Sequence, residues 1–146
     1  MSAARQQIID RSRVSVAFHH VDMMQIVHNV QYLKWFEQGR LRLLERFISV
    51  QWAVENGLAV PVVQNRCEYL SPAYLWDELV LTTRHTLQDR WTGRFSFEHS
   101  ISNQKTKVEL CRGGSDVTVT DMRGRHVLKT IPPEVWARYD ALKTAG

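Results

Sequence analysis

The most constraining feature of this sequence is a helical segment over about residues 30–48 that is apolar around most of its circumference. Most of its polar side chains fall on one narrow stripe, which consists of Gln31, Lys34, Gln38, Arg42, Glu45 and Arg46, and most of the remaining residues are apolar. An ordinary surface helix carries an apolar stripe of about 100° or somewhat more, and this segment exceeds it. A curved sheet is the natural structure to wrap around such a helix. Gly39 costs roughly 1 kcal/mol of helix propensity relative to Ala, which predicts a close approach of the helix backbone to that sheet.

Most of the remaining chain alternates apolar and polar residues with the period of two that is typical of strands. A polar lead-in over residues 1–13 precedes a first strand, in which Val14, Val16 and Phe18 alternate with polar or small neighbours. Later strands are predicted over residues 60–69, 78–88, 91–102, 107–120 and 126–131. Gly113-Gly114 predicts a bulge or a bend, and residues 121–124 predict a hairpin turn.

The order of these elements predicts an α+β fold. One strand is followed by one long helix and then by four or five antiparallel strands, without alternating βαβ units. Pro132-Pro133 opens a last short helix over about residues 133–143. We expect residues 1–146 to form one domain. A single sheet of this kind leaves edge strands exposed, and pairing with a second copy covers one of them, so we expect a homodimer.

Composition excludes several classes of function. The chain has 146 residues and a net charge of +4, and no basic run or nucleic-acid-binding motif makes DNA or RNA a leading partner. No apolar run reaches the roughly 18 residues that a membrane-spanning helix needs, and the N-terminus has no signal-peptide core. Cys67 and Cys111 form neither a disulfide framework nor a metal-binding spacing. We expect a cytoplasmic protein in which both thiols are reduced and pack as small apolar groups.

Asp22 is the strongest candidate for a catalytic residue. It ends the first predicted strand, and the apolar helix begins seven residues later, at Asn29. Asn29 is a favourable N-cap residue, and a helix N-terminus presents unpaired N–H groups at the positive end of the helix dipole. A carboxylate beside such a site is suited to attack on a carbonyl whose oxygen becomes negative. The alternative is that Asp22 only caps backbone N–H groups of its loop.

Two further stretches, with the Asp22 segment, resemble a known family. The Asp22 segment contains Asp22, Ile26-Val27, His28-Asn29, Tyr32, Trp35-Phe36 and Glu37-x-x-Arg40. One later stretch contains Glu68-Tyr69-Leu70-Ser71-Pro72-Ala73 with Asp77, and the other contains Gly124-Arg125 with Ile131-Pro132. Together they resemble the hot-dog-fold acyl-CoA thioesterases of the 4-hydroxybenzoyl-CoA thioesterase type. The likeness spans roughly residues 14–135. It implies an antiparallel sheet of about five strands wrapped around the long helix, in a homodimer or a homotetramer.

The resemblance also implies roles for individual residues. Asp22 would act as nucleophile or as general base on water, and the backbone N–H near Asn29 would polarise the thioester carbonyl. Gln25, His28 and Tyr32 would line the substrate site. The resemblance implies an acyl-CoA substrate and no metal or organic cofactor; for the coenzyme A phosphates, the cationic candidates on the later strands and their loops are Arg90, Arg94 and Arg112.

The sequence departs from the family pattern at two positions. Gln25 and Trp76 stand where the family commonly has glycine, which allows a tight turn and leaves room for substrate. Three readings of the function follow from the resemblance. They are an acyl-CoA thioesterase, which we favour, a thioesterase for acyl groups on a carrier protein, and a non-catalytic acyl-CoA-binding protein. The sequence does not specify the acyl chain.

Overall fold

The computed structural model describes residues 7–86, 94–122 and 131–144 of the chain. In these residues the strands are β1 (Gln7–Ser15), β2 (Leu58–Ala59), β3 (Val62–Tyr69), β4 (Glu78–Thr86), β5 (Arg94–Asn103), β6 (Glu109–Thr118) and β7 (Thr120–Asp121). The helices are α1 (Asn29–Leu44), α2 (Val50–Glu55) and α3 (Pro133–Thr144), with a short 3₁₀ turn over Phe18–His20.

The main sheet has five antiparallel strands in the order β1-β4-β5-β6-β3. Helix α1 contacts all five of them. Alternation in the central strand β5 places Phe95, Phe97, His99 and Ile101 against the helix, while the intervening side chains point to the other face. The predicted α+β architecture, one long helix wrapped by a five-stranded sheet with a short C-terminal helix, is confirmed. Strands β2 and β7 form a separate two-stranded sheet.

The core divides into two apolar clusters along α1. One cluster surrounds the first half of the helix and contains Tyr32, Trp35 and Phe36. The other surrounds its second half and includes residues of α3, such as Tyr139. The first cluster lies beneath the loop that carries Asp22, because Val27 of that loop belongs to it. The candidate site therefore rests on packed core.

Gly39 lies where the backbone of α1 comes closest to the sheet. A Cβ atom at this position would overlap Thr83 Oγ1 and would stand 3.0 Å from Leu81 Cδ2, both on β4. A larger residue would push the helix away from the strand it packs against. The predicted close approach is confirmed.

The prediction for the first strand is wrong in its bounds. Residues 7–13, which read as part of a polar lead-in, belong to β1, and the strand ends at Ser15 instead of continuing to Phe18. Phe18 opens the 3₁₀ turn and is exposed. The whole of β1 pairs with β4 in continuous antiparallel register.

Asp10 explains why this strand was missed. Its side chain points to the helix side of the sheet and is buried, although carboxylates seldom are. Arg42 Nε lies 3.0 Å from Asp10 Oδ2, and Arg46 Nη2 lies 2.6 Å from Asp10 Oδ1. A carboxylate at a core position breaks the apolar alternation, and its two cationic partners are more than 30 residues away in the sequence.

Helix α1 ends earlier than predicted. Its last residue is Leu44, whereas the apolar pattern continues to Ile48, because Phe47 and Ile48 are buried in the turn that follows. A second helix, α2, then begins after Ser49, whose side chain accepts a 3.1 Å hydrogen bond from Trp52 N. This helix was not predicted.

The glycine pair of β6 does not form a bulge. Register runs without interruption from Arg66 opposite Gly114 to Cys67 opposite Gly113, and the irregularities of the sheet lie at Val62/Gln64 and at Ile101/Ser102. A Cβ atom at Gly113 would collide with the carbonyl oxygen of Arg66, and one at Gly114 would collide with its guanidinium group. Close approach of the β3 backbone therefore requires glycine at Gly113, whereas a side chain at Gly114 would only have to displace the Arg66 guanidinium group.

Two other predictions concern the end of the chain. The C-terminal helix is confirmed as α3. The predicted strand over 126–131, apart from its last residue, and the second half of the hairpin turn over 121–124 lie outside the described residues. Within the described ranges, no helix is both long enough and apolar enough to cross a membrane.

Candidate active site

The loop that carries Asp22 is closed by its own backbone. Val21 and Val27 form an antiparallel bridge, and Asp22 N donates to Ile26 O at 3.0 Å. Gln25 N donates back to Asp22 O at the same distance. The two ends of the loop therefore lie side by side, and α1 starts two residues after Val27. Asp22 and the N-terminus of α1 are held together as one local structure.

The carboxylate of Asp22 is half-buried and uses one of its oxygens within the loop. Oδ1 accepts hydrogen bonds from Met24 N at 2.8 Å and from Ile26 N at 3.3 Å. This is the capping role that the sequence left open as an alternative. No described residue donates to Oδ2, so the second oxygen remains available to a molecule bound at the loop. The geometry accommodates both roles at once.

Gln25 adopts the backbone conformation that glycine would supply. Its φ is +62°, in the left-handed region that side chains disfavour. Trp76, at the other position where the resemblance leads us to expect glycine, has a φ of +71°. The two segments are joined, because Leu75 N donates to Gln25 O at 3.1 Å and Ile26 bridges Tyr74. The chain keeps both turns and adds a side chain to each.

The helix begins at Asn29, and the N-cap position is occupied by His28, whose side chain makes no capping hydrogen bond. The prediction of Asn29 as N-cap is therefore wrong by one residue. Asn29 Oδ1 accepts from Val30 N at 2.9 Å. The N–H of Asn29 itself has no acceptor in the described part of the chain, as expected for the first residue of a helix. Both His28 and Asn29 are exposed.

Tyr69 holds the start of the helix from the opposite side. Its hydroxyl donates a 2.8 Å hydrogen bond to Asn29 O. Burial, followed by the neighbouring Cys67 side chain, raises the pKa of Tyr69 to about 12, so the phenol stays protonated. The sequence did not single out Tyr69 as part of the site, because the hydrogen bond joins residues 40 positions apart.

Tyr32 is buried beneath the loop. Its hydroxyl accepts a hydrogen bond from Ala73 N at 3.3 Å, and its ring meets those of Trp35 and Tyr69 edge-on. Burial raises the pKa of its phenol. In this structure Tyr32 supports the site from the core side, and contact with substrate stays a prediction.

His20 supports the Asp22 loop and the start of α1 from below. Its Nδ1 accepts a hydrogen bond from Ala17 N at 2.9 Å, its ring lies edge-on to Trp35, and His28 N donates to its carbonyl oxygen. Burial and the nearby charges of His19 and Lys34 lower the pKa of His20. Across the described residues, no three His, Cys, Asp or Glu side chains converge as metal ligands would.

The candidate cations for coenzyme A are engaged elsewhere on the sheet. Arg94 Nη2 lies 2.6 Å from Asp116 Oδ2. Arg112 lies 3.2 Å from Glu68 and 3.5 Å from Glu109. Arg90 lies outside the described residues.

A groove of about 660 Å³ crosses the face of the sheet that points away from α1. Its charged lining is balanced, with Arg66, Arg84 and Arg112 facing Glu68, Glu98 and Glu109. Balanced charge does not favour the several phosphate charges of coenzyme A. The groove and the Asp22 loop are separate features, since none of its lining residues belongs to that loop.

Exposed apolar side chains surround the Asp22 loop. We call them the apolar rim, and they are Phe18, Met23, Met24, Tyr74 and Trp76, each at least half exposed. Sequence patterns did not reveal this rim, because it assembles from the two loops that meet at the Ile26–Tyr74 bridge. Several exposed apolar side chains on neighbouring loops are typical of a binding site or an interface.

Comparison with known proteins places this geometry in a family. Residues 16–139 match the sequence profile described as the thioesterase-like superfamily. Over 74 residues, the chain is 34% identical to the long-chain acyl-CoA thioesterase FadM of Escherichia coli K12. That alignment covers 51% of this chain and 56% of FadM, so the chain matches little more than half of that relative.

Solved structures share the fold at low sequence identity. A 1,4-dihydroxy-2-naphthoyl-CoA thioesterase from Synechocystis superposes with a TM-score of 0.78 at 19% identity, covering 89% of this chain and 94% of that one. A Staphylococcus aureus protein solved in complex with CoA superposes with a TM-score of 0.82 at 13% identity, covering 98% and 89%. These likenesses confirm the hot-dog fold.

Proposed function

This chain belongs to the thioesterase-like superfamily, and on that premise we propose that it is a thioester hydrolase that cleaves an acyl-CoA to a free acid and coenzyme A. The observation that carries the proposal is the Asp22 loop. One carboxylate oxygen of Asp22 and the N–H of Asn29 both lack a partner among the described residues, and a single short loop holds both. A thioester carbonyl requires this combination, a base or nucleophile near a donor for the developing oxyanion.

Two routes are compatible with this arrangement. In the first, Asp22 accepts a proton from water while the water oxygen attacks the carbonyl carbon. In the second, the Asp22 carboxylate attacks, forms a mixed anhydride, and water then releases the acid. In both routes the C–S bond breaks and coenzyme A leaves as the thiol after taking up a proton. The Asn29 N–H would stabilise the oxyanion, a contribution of typically about 3 kcal/mol, or roughly a hundredfold in rate.

The substrate class follows from the relatives. FadM is named for long-chain acyl-CoA and the Staphylococcus aureus structure holds CoA, which supports coenzyme A as the leaving group here. The apolar rim supports an apolar contact at the mouth of the site. Arg94 and Arg112 would have to exchange carboxylate partners for phosphate in order to bind coenzyme A.

We also propose that the enzyme is a homodimer. Strand β3 is an edge of the main sheet and is exposed along most of its length, with Val62, Val63 and Tyr69 among its exposed apolar residues. An unpaired edge of this kind is normally covered, and pairing with a second copy would cover it. Size measurement in solution tests this, and a monomer at micromolar concentration would contradict it.

The test of the activity is a panel of acyl-CoAs with detection of the free thiol released. Asp22→Asn and Asp22→Ala form a matched pair. The Asn variant retains an oxygen that can accept from Met24 N and Ile26 N, whereas the Ala variant loses the cap as well as the charge. We expect both to lose at least a hundredfold in kcat/KM, with Asp22→Asn as stable as the wild type. Near-normal turnover by Asp22→Asn would show that Asp22 only caps its loop and is not catalytic.

A second candidate function is binding of acyl-CoA without turnover. The capping contacts of Asp22 Oδ1 and the presence of Gln25 instead of glycine favour it. Tight acyl-CoA binding by a wild-type protein that releases no thiol would identify this alternative. A thioesterase for carrier-protein substrates would instead hydrolyse the carrier-bound acyl group faster than the same acyl-CoA in a side-by-side assay.

A further inference from the structure

The two cysteines of this chain lie next to each other in the fold. They are 44 positions apart in the sequence, yet Cys67 Sγ and Cys111 Sγ are separated by 3.0 Å. Cys67 lies opposite Gly113 on the neighbouring strand, and Cys111 lies opposite Tyr69. The two thiols are therefore diagonal neighbours on the helix side of β3 and β6. A disulfide bond is about 2.05 Å long, so the sulfur atoms need to approach by about 1 Å.

The surroundings of the two thiols differ in a way that suits sequential oxidation. Cys67 is on the edge strand and half-buried, whereas Cys111 is on an inner strand and fully buried. Burial raises the pKa of the Cys111 thiol, with Cys67 as the next cause, so Cys111 is a poor first target for an oxidant. The expectation that both cysteines pack among apolar residues is met, since both adjoin the cluster around the first half of α1.

We propose that Cys67 and Cys111 form a dithiol site that peroxide converts to an intramolecular disulfide. Cys67 sulfur attacks one oxygen of hydrogen peroxide, which gives a sulfenic acid and one water. Cys111 sulfur then attacks the sulfenic sulfur, and a second water leaves. The two thiols together lose two protons and two electrons, and the peroxide is reduced to two waters. A dithiol reductant reverses the reaction by exchange.

The position of this site connects it to the Asp22 loop. Cys67 lies on the same strand face as Tyr69, two residues away, and contributes to the raised pKa of Tyr69. Tyr69 in turn donates to Asn29 O at the start of α1. Oxidation would draw Cys67 Sγ toward Cys111 and alter the support of that hydrogen bond. This effect on turnover rests on the proposed function, whereas the disulfide itself does not.

The experiment treats the reduced, folded protein with hydrogen peroxide and measures intact mass, free thiols and tryptic peptides without reduction. We expect loss of two hydrogen atoms, loss of both free thiols, and one linked pair that consists of peptides 67–84 and 108–112, cut at the flanking Arg and Lys residues. Dithiothreitol should restore both thiols. Circular dichroism before and after treatment checks that the protein remains folded.

Cys67→Ser and Cys111→Ser are the matched controls. Cys67→Ser should keep its buried thiol free under the same treatment, and Cys111→Ser should accumulate sulfenic acid at Cys67, trapped by dimedone. Should Cys111→Ser not fold, Cys67→Ser and the peptide map still decide the question. Two thiols that both remain free, a linkage between two copies of the chain, or further oxidation of Cys67 without a linked peptide would each overturn the proposal. Whether the linked peptide forms does not depend on whether the protein hydrolyses acyl-CoA, so this test is separate from the test of the proposed function.

Discussion

The hydroxyl of Tyr69 donates a 2.8 Å hydrogen bond to the carbonyl oxygen of Asn29. This bond ties edge strand β3 to the first residue of α1, the residue whose N–H is the proposed oxyanion donor. A residue outside the Asp22 loop therefore helps to determine where that donor points.

Replacing Tyr69 with Phe should lower kcat several-fold and leave KM nearly unchanged, because the ring packing remains and only the anchor of Asn29 is lost. The free energy of unfolding should fall by about 0.5–1.5 kcal/mol, the usual contribution of one hydrogen bond. Tyr74→Phe is the matched control, since no hydroxyl contact of Tyr74 occurs among the described residues. Equal kcat values for the two variants would show that the Tyr69 hydroxyl does not contribute to turnover.

Replacing Gln25 with Gly should raise the free energy of unfolding by up to about 1 kcal/mol. The left-handed backbone at φ +62° costs a side-chain-bearing residue about 1–2 kcal/mol, and the extra entropy of glycine in the unfolded chain offsets part of this gain. Met24→Gly, one residue earlier and without a positive φ, should be destabilising by about 0.5–1 kcal/mol. Denaturant unfolding measures both, and the same sign for the two variants would contradict the explanation.

Replacing Gly39 with Ala should destabilise the protein by about 1–3 kcal/mol, even though Ala is the better helix former, because the added methyl group overlaps Thr83 Oγ1. Gln38→Ala, at the exposed neighbouring position, should stay within about 0.5 kcal/mol of the wild type. The double variant Gly39→Ala/Thr83→Ala should cost less than the sum of its single changes. Strict additivity would show that the contact with Thr83 is not the cause.

His99 should make stability depend on pH. Its buried ring lies 3.0 Å from Thr83 Oγ1 and 2.9 Å from Ser115 Oγ. Burial, with the nearby charges of Arg40 and Arg66, lowers the pKa of His99 to about 3.

The unfolded chain binds a proton at this residue below its ordinary pKa of about 6.5, whereas the folded protein does not until about pH 3. Stability should therefore be complete above pH 6.5 and fall between these values, by up to about 1.4 kcal/mol per pH unit. Urea unfolding at pH 7, 6 and 5 measures the slope. His99→Gln should be less stable at pH 7 and show a shallower slope, and an identical slope would assign the dependence to other groups.

The sequence predicted the central arrangement because that information is local. The wide apolar arc of the helix required a wrapping sheet, and the period of two located β3 to β6 within a few residues. Asp22, with the start of α1 a few residues later, was also visible, since the loop that joins them is short. Gly39 indicated a close approach because glycine inside a helix needs a compensating reason.

The first strand shows what local sequence patterns cannot predict. Asp10 is a buried carboxylate, and the two arginines that make this position tolerable come from the last turn of α1 and from the turn that follows it. When these arginines are not considered, residues 7–13 show no clear apolar alternation, and the local pattern predicts a polar lead-in instead of a strand. The prediction of a bulge at Gly113 and Gly114 was wrong for a related reason, because glycine is needed at Gly113 to admit the backbone of Arg66 on the partner strand.

By itself, then, the sequence determined the fold class, the wrapped helix and the carboxylate at the loop, since each depends on neighbours within a few residues or on periodicity. Only the tertiary structure decided that Tyr69 supports Asn29, that Gln25 and Trp76 take the left-handed conformation across from one another, and that Cys67 meets Cys111. These relationships depend on the register between strands and on the meeting of distant loops. Register is a property of the assembled sheet, and no single segment of the chain carries it.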